Sequence, residues 1–320
     1  MEYLRARRSL FLSGGGLKVL QFLGALDVLG PRGFEQFTGV SAGGLTCLLL
    51  SLGLTCDAAT RALAAFDVPG TLRSEFDVRR LCRTGAPLDG VAALRKLQAA
   101  LAVLGCPPDA DFAWHARVTG RRLRIVAADV ASARLVAFSA DSTPSAPLAH
   151  AVMAGMALPL VLPPVIIGGR SYVDAAVLNN CPLHLAGSPT HLLALVTHMN
   201  AGAALAGINL RCCLAEAASV IAARADGALV LEMPSVPPEA HALRVGRGDW
   251  EELLGQGRAA MCARALSSWL AGALVLAVLA RAENVPPRRK PDGAHQREEQ
   301  HPGSGPGRAR NAAPWASSHV

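Results

Sequence analysis

Gly39-Val40-Ser41-Ala42-Gly43 stands between the short apolar run Phe37 to Val40 and the apolar stretch Leu45-Thr46-Cys47-Leu48-Leu49-Leu50-Ser51-Leu52. Glycines on both sides of a serine allow the backbone to turn sharply from a strand into a helix. Such a turn lifts the serine Oγ into the open and aims the first helical N–H groups at whatever the serine attacks. Strand, tight turn and helix in immediate succession is also the unit of which α/β sheets are made. G-x-S-x-G occurs in ordinary loops as well, so Gly39 and Gly43 make Ser41 a candidate nucleophile only in company with other elements.

Working outward, Leu10-Phe11-Leu12 reads as a buried strand and Val19 to Leu26 as a packed helix, with Ser13-Gly14-Gly15-Gly16-Leu17-Lys18 between them. Three consecutive glycines at a helix start expose a row of backbone N–H groups where the helix dipole is positive, a suitable place for an anion. The dinucleotide pattern fails, because it would need glycine where Val19 stands, and the P-loop pattern is absent. The remaining use is the transient oxyanion formed when a serine attacks an ester carbonyl, held by Gly14, Gly15 and Gly16. A ligand-free tight turn is the alternative.

Serine needs a base. Asp174 ends the β-like part of Gly168-Gly169-Arg170-Ser171-Tyr172-Val173-Asp174-Ala175-Ala176 and is followed by two small residues that permit close approach. An Asp capping the next turn fits the same local pattern. His184, His191, His198 and His241 follow Asp174, so a Ser, Asp, His order is available, but none lies in a loop motif. His115 and His150 precede it without an assignable role.

Taken together these segments resemble the patatin-like phospholipase family of lipid acyl hydrolases. The resemblance runs through the Ser13 to Lys18 glycine loop, the Gly39 to Gly44 elbow, the segment Ala151 to Pro159 with Leu162-Pro163-Pro164-Val165, and Asp174 to Asn180 with Pro182. It spans about residues 9 to 265. It implies a three-layer α/β/α fold with a largely parallel central sheet, a Ser41–Asp174 dyad in place of a triad, an oxyanion loop at Gly14 to Gly16, and lipid or a membrane surface as substrate. Two positions depart from the pattern, Val19 and Ala175, where the family usually carries glycine. At Ala175 a requirement for positive φ would make the methyl group cost about 1 kcal/mol or more and displace the base. Lys18 suits a loop-orienting, headgroup-contacting or salt-bridging role. A catalytically impaired lipid-binding relative and a membrane-tethered interaction protein are the competing readings.

Composition agrees with one large core: 320 residues, 51% apolar. A net charge of +7 invites thoughts of nucleic acid, yet aromatics are only 4% and no basic run interleaves with them, so no nucleic-acid partner is expected. The eight cysteines show neither metal-ligand nor disulfide-framework spacing, which points to reduced, buried thiols in an intracellular, cytoplasmic protein. No cofactor, metal or obligate protein partner is implied.

The wider pattern alternates strand and helix, placing Ser41 and the Gly14 to Gly16 loop on one edge of a parallel sheet. Asp57 to Leu104 reads as mostly helical, Leu123 to Asp129 and Leu135 to Phe138 as a strand pair, His150 to Leu158 as a helix, His191 to Val196 and Ala228 to Met233 as strands, and Trp250 to Leu266 as a closing helix. The division expected is an extension over 1–8, a catalytic domain over 9–265, an apolar helix over 266–280 and a disordered, Pro/Gly-rich basic tail over 281–320. Sixteen uncharged, mostly apolar residues from Ala265 reach about 24 Å as a helix, short of the roughly 30 Å hydrocarbon core. They suit a buried terminal helix or a peripheral, C-terminal membrane contact.

Overall fold

The computed structural model describes residues 6–30, 33–66, 77–197, 206–234 and 247–283. Its centre is an eight-stranded sheet with strands β1 (Ser9–Leu12), β2 (Gln36–Val40), β3 (Arg122–Asp129), β4 (Arg134–Ser139), β5 (Val165–Ile167), β6 (Arg170–Asp174), β7 (Leu192–Val196) and β8 (Leu229–Glu232). The order is β5-β6-β3-β2-β1-β7-β8, with β4 also on β3. Strands β3, β2, β1, β7 and β8 run parallel. The helices are α1 (Val19–Leu29), α2 (Ala42–Ser51), α3 (Cys56–Phe66), α4 (Val78–Thr84), α5 (Gly90–Val103), α6 (Phe112–Thr119), α7 (Leu148–Met156), α8 (Ala206–Ala225) and α9 (Arg247–Glu283).

Alternation along the central strands explains the layering. Leu10 and Leu12 of β1, with Leu193 and Leu195 of β7, face one apolar core formed with α1, α2, α5 and α7, whereas Phe11, Ala194 and Val196 face a second with Val220 and Ala223 of α8. A parallel sheet buried on both faces needs such apolar runs. Three-layer α/β/α architecture is what results.

The sequence reading of β1, β2, β3, β4, β7, β8 and α7 holds to within a residue or two. Helices α6 and α8 and strand β5 were not anticipated. Trp250 to Leu266 and the apolar segment after it form one helix, α9, because nothing between Arg247 and Glu283 breaks it: there is no proline, and glycine is tolerated in a helix. No helix of the described residues is long and apolar enough to cross a membrane. By its contacts the chain divides into Met1–Gly272, which holds the whole sheet, and Ala273–Val320, described only as the end of α9. The tail expected over 281–320 lies outside the described residues beyond Glu283.

One register detail places the site. Strand β4 occupies one edge of β3 from Arg124 to Asp129, and β2 occupies the other only as far as Val126. Strand β6 pairs with the last residues of β3, Ala127 to Asp129, and must therefore take β2's edge. Since β6 runs antiparallel to β3, its last residue, Asp174, pairs with Ala127 while Val40 pairs with Val126. Two strands thus arrive head-on, and the residues at their tips meet.

Candidate active site

Ser41 follows Val40 with φ 53° and ψ −132°, a left-handed conformation costly for a residue with a side chain. The fold holds it there through backbone contact. A Cβ on Gly39 would stand 2.5 Å from the Gly43 carbonyl oxygen, and one on Gly43 would overlap the carbonyls of Leu12 and Ser13. Only glycine lets the start of α2 sit this close to the ends of β1 and β2. Ser41 occupies the position before α2 where serine normally caps the helix, yet its hydroxyl makes no cap. It donates instead to Asp174 Oδ2 at 2.6 Å.

Asp174 is 3% exposed, and its other oxygen, Oδ1, accepts the Ala176 N–H at 2.9 Å. Burial pushes the carboxyl up to about 6, against the opposing pull of the Ser41 hydroxyl and the Ala176 amide. A carboxyl in that range is ionised at neutral pH and basic enough to take a proton, the condition required of a general base.

The glycine loop lies against the nucleophile: a Cβ on Gly14 would stand 3.0 Å from Ser41 Cβ. Within the described residues the N–H groups of Gly14, Gly15 and Gly16 donate to no protein acceptor. The Gly14 carbonyl, by contrast, accepts from Thr197 Oγ1 at 2.7 Å and Asn180 Nδ2 at 3.2 Å. Asn180 Nδ2 also donates to the Thr197 carbonyl at 3.0 Å, and the Thr197 N–H donates to Ser13 Oγ at 2.9 Å. Because the peptide unit is planar and trans, fixing the Gly14 carbonyl inward turns the Gly15 N–H the opposite way. Thr197 and this role of Asn180 escaped the sequence reading. Thr197 is the first polar residue after the apolar β7, at the same carboxyl edge as Ser13 and Ser41, and that position was the available signal.

Two expectations are corrected. Ala175 does not have positive φ; it opens a 3-10 turn over Ala175–Val177 and is buried in the second core, so its methyl group imposes no strain on Asp174. Val19 is likewise right-handed, at φ −57° and ψ −19°. Lys18 is buried, its pKa lowered to about 8 by desolvation while Glu216, also buried, draws it back up.

Among the described residues no histidine hydrogen-bonds Ser41 or Asp174. His184 and His191 are exposed on short turns, and both Asp174 oxygens already have partners in Ser41 and Ala176. His198 and His241 lie outside the described residues. His115 is buried with Nε2 2.8 Å from Ser51 Oγ, and burial, helped by Arg121, lowers it to about 4, so it is a neutral core residue. Of the cysteines, Cys47, Cys106, Cys181 and Cys212 are buried as expected, but Cys82 and Cys262 are exposed.

A family model for patatin-like phospholipases matches residues 10–186, which include the glycine loop, Ser41 and Asp174. This chain belongs to the patatin-like phospholipase family. Among its relatives, the probable lipid hydrolase 463L of Invertebrate iridescent virus 6 is 24% identical over 185 residues, 56% of this chain and 63% of the viral protein. The chain therefore spans just under two thirds of that relative. Among solved structures, VipD of Legionella pneumophila is 15% identical with a TM-score of 0.49, over 80% of this chain and 66% of VipD. The type III effector ExoU of Pseudomonas aeruginosa is 18% identical with a TM-score of 0.46, over 80% of this chain and 52% of ExoU.

Proposed function

We propose that this patatin-like protein is a lipid acyl hydrolase of the phospholipase A type, in which Ser41 and Asp174 act as a dyad through an acyl-enzyme. The observation that carries the reading is the 2.6 Å hydrogen bond from the Ser41 hydroxyl to the buried Asp174 carboxylate, at the tip of a strained turn beside the Gly14 to Gly16 loop.

Asp174 Oδ2 takes the hydroxyl proton as Oγ bonds to the ester carbonyl carbon, whose π electrons move to oxygen. The N–H groups of Gly14 to Gly16 face that developing oxyanion, with the Gly14–Gly15 peptide held in place by Thr197 and Asn180. Collapse of the intermediate expels the alkoxide, which receives the proton from Asp174. Water then attacks the acyl-enzyme, giving a proton to Asp174 that returns to Ser41 Oγ as the fatty acid leaves. Low dielectric around Asp174 strengthens each of these interactions.

The test is turnover of a short p-nitrophenyl ester and of a phospholipid by the Ser41→Ala and Asp174→Asn variants and by the double variant. Each single change is expected to remove nearly all activity, and the double variant to lose little more, because the two residues serve one proton transfer. Substantial turnover in either single variant refutes the dyad.

A further inference from the structure

The Asp174 N–H donates to the Ala157 carbonyl at 3.0 Å, so the chain leaving α7 passes beside the base before turning outward. Leu158 and Leu160 follow, both exposed, Leu160 to 65% and at φ 66°. The turn is fixed where the N–H groups of Val161 and Leu162 both donate to the Leu158 carbonyl at 3.0 Å. It abuts the entry to α5, where the Leu88 N–H reaches the Val161 carbonyl at 3.4 Å. There an open, mainly apolar cleft of about 400 Å³ is bordered by Val91, 60% exposed, and Ile166, 67% exposed. Arg80 and Arg83 line the same cleft. Among the described residues its acidic member, Asp89, accepts the N–H groups of Val91 and Ala92 and stands 3.6 Å from Arg80, so that Arg83, exposed, leaves the described lining positive.

Isolated exposed aliphatics are ordinary, but Leu158 and Leu160 lie on a turn bonded through Val161 to the edge of a cleft that itself exposes Val91 and Ile166 beside arginines. An ester within a bilayer lies beneath the headgroups, and a protein that reaches it from water must place its rim there. Aliphatic side chains that sink about 5–10 Å to the headgroup boundary and guanidinium groups that meet phosphate are the chemistry that does this. No helix of the described residues crosses a membrane, so attachment through this part of the chain is peripheral.

We propose that the face formed by Leu158 to Ile166 and the start of α5 docks the protein on an anionic lipid bilayer, with Leu158, Leu160, Val91 and Ile166 entering the interface and Arg83 meeting phosphate. This surface adjoins the base of the proposed hydrolase through the Asp174 to Ala157 hydrogen bond, and in that respect it rests on that reading.

The experiment measures co-sedimentation with vesicles in the Ser41→Ala background, so that binding is read without hydrolysis. Vesicles of phosphatidylcholine alone are compared with vesicles that also contain phosphatidylglycerol. Binding is expected to be stronger on the anionic vesicles and to weaken as salt is raised. Leu160→Asp and Ile166→Asp should each lower partitioning on the order of tenfold, and Arg83→Glu should remove the preference for phosphatidylglycerol. Aspartate tolerates the backbone at position 160 better than most residues, and circular dichroism melts check that the variants fold. Variants that fold and bind as the parent does, or a parent indifferent to phosphatidylglycerol, overturn the proposal. So does a concentration-dependent dimer that Leu160→Asp dissociates in the absence of vesicle binding, which makes the patch a contact between copies of the chain. If the wild type hydrolyses the soluble ester but the parent ignores vesicles, docking fails and the catalytic reading stands. If vesicles are bound as described but no ester is cleaved, the catalytic reading fails alone.

Discussion

Replacing Asp174 by asparagine separates catalysis from folding in a way that the structure quantifies. Burial raises the carboxyl from 3.8 to about 6, a change that corresponds to about 3 kcal/mol. Because the folded-state value lies above the unfolded one, the native protein holds this proton more tightly than the unfolded chain does. Wild type therefore loses stability as the pH rises from about 3.8 through about 6, and above that window the cost is constant at about 3 kcal/mol. Asparagine keeps the geometry: its oxygen still accepts the Ala176 N–H, and its amide donates to Ser41 Oγ. It has no charge to desolvate. The stability of Asp174→Asn relative to wild type should thus grow from about 1 kcal/mol near pH 4.5 to about 3 kcal/mol near pH 7.5. Urea unfolding of both proteins at the two pH values measures the difference, and thermal melts should show a gap widening by several degrees. In the same samples the variant should turn over no ester, and the wild-type rate should fall below about pH 6 as the base is protonated. A variant less stable than wild type near pH 7.5, or a difference that does not widen with pH, refutes the reasoning.

Thr197→Val and Asn180→Ala release the Gly14 carbonyl, so kcat should drop by roughly one to two orders of magnitude with KM little changed, as expected when a positioned donor is lost. Thr197→Ser, which keeps the hydroxyl, should restore most of the rate; kinetics on the soluble ester distinguish this from a general loss of folding. Ala175→Gly should leave kcat unchanged and lower stability by about 1 kcal/mol, because the position is right-handed and buried and glycine adds only unfolded-chain freedom there. A rise in kcat would mean that the alanine does displace Asp174.

Much of this protein was legible without coordinates. Elbow and glycine loop are legible as residue patterns, although only Gly39 is required by near neighbours in the chain, while Gly43 is crowded by the Leu12 and Ser13 carbonyls and Gly14 and Gly15 by Asn180 and Thr197; the short apolar runs that became β1, β2 and β7 announce a sheet buried on both faces. Family resemblance then pointed to Asp174. Elements with little periodic signal were missed. Helix α6 has eight residues with only Phe112 and His115 buried, although Asp111 accepting the Trp114 N–H at 2.7 Å and left-handed Gly120 bracket it with readable caps. At Ala175 the sequence reading erred by inferring a backbone angle from a residue preference; φ there is set by the 3-10 turn that follows β6.

What the sequence by itself determined is the chemistry available: a serine on a strained turn, a loop of unoccupied amides, and a carboxylate among small residues. Tertiary structure alone decided that they meet. Ser41 and Asp174 are 133 residues apart, and they touch because β2 stops at Val126 of β3 and β6 begins its pairing on the same edge at Ala127, bringing two strand ends face to face. The inward hold on the Gly14 carbonyl by Thr197 and Asn180, and the burial that raises Asp174, are likewise properties of three chain segments packed together. Desolvation and hydrogen-bond geometry depend on what surrounds a group in space, and no local pattern of residues encodes that.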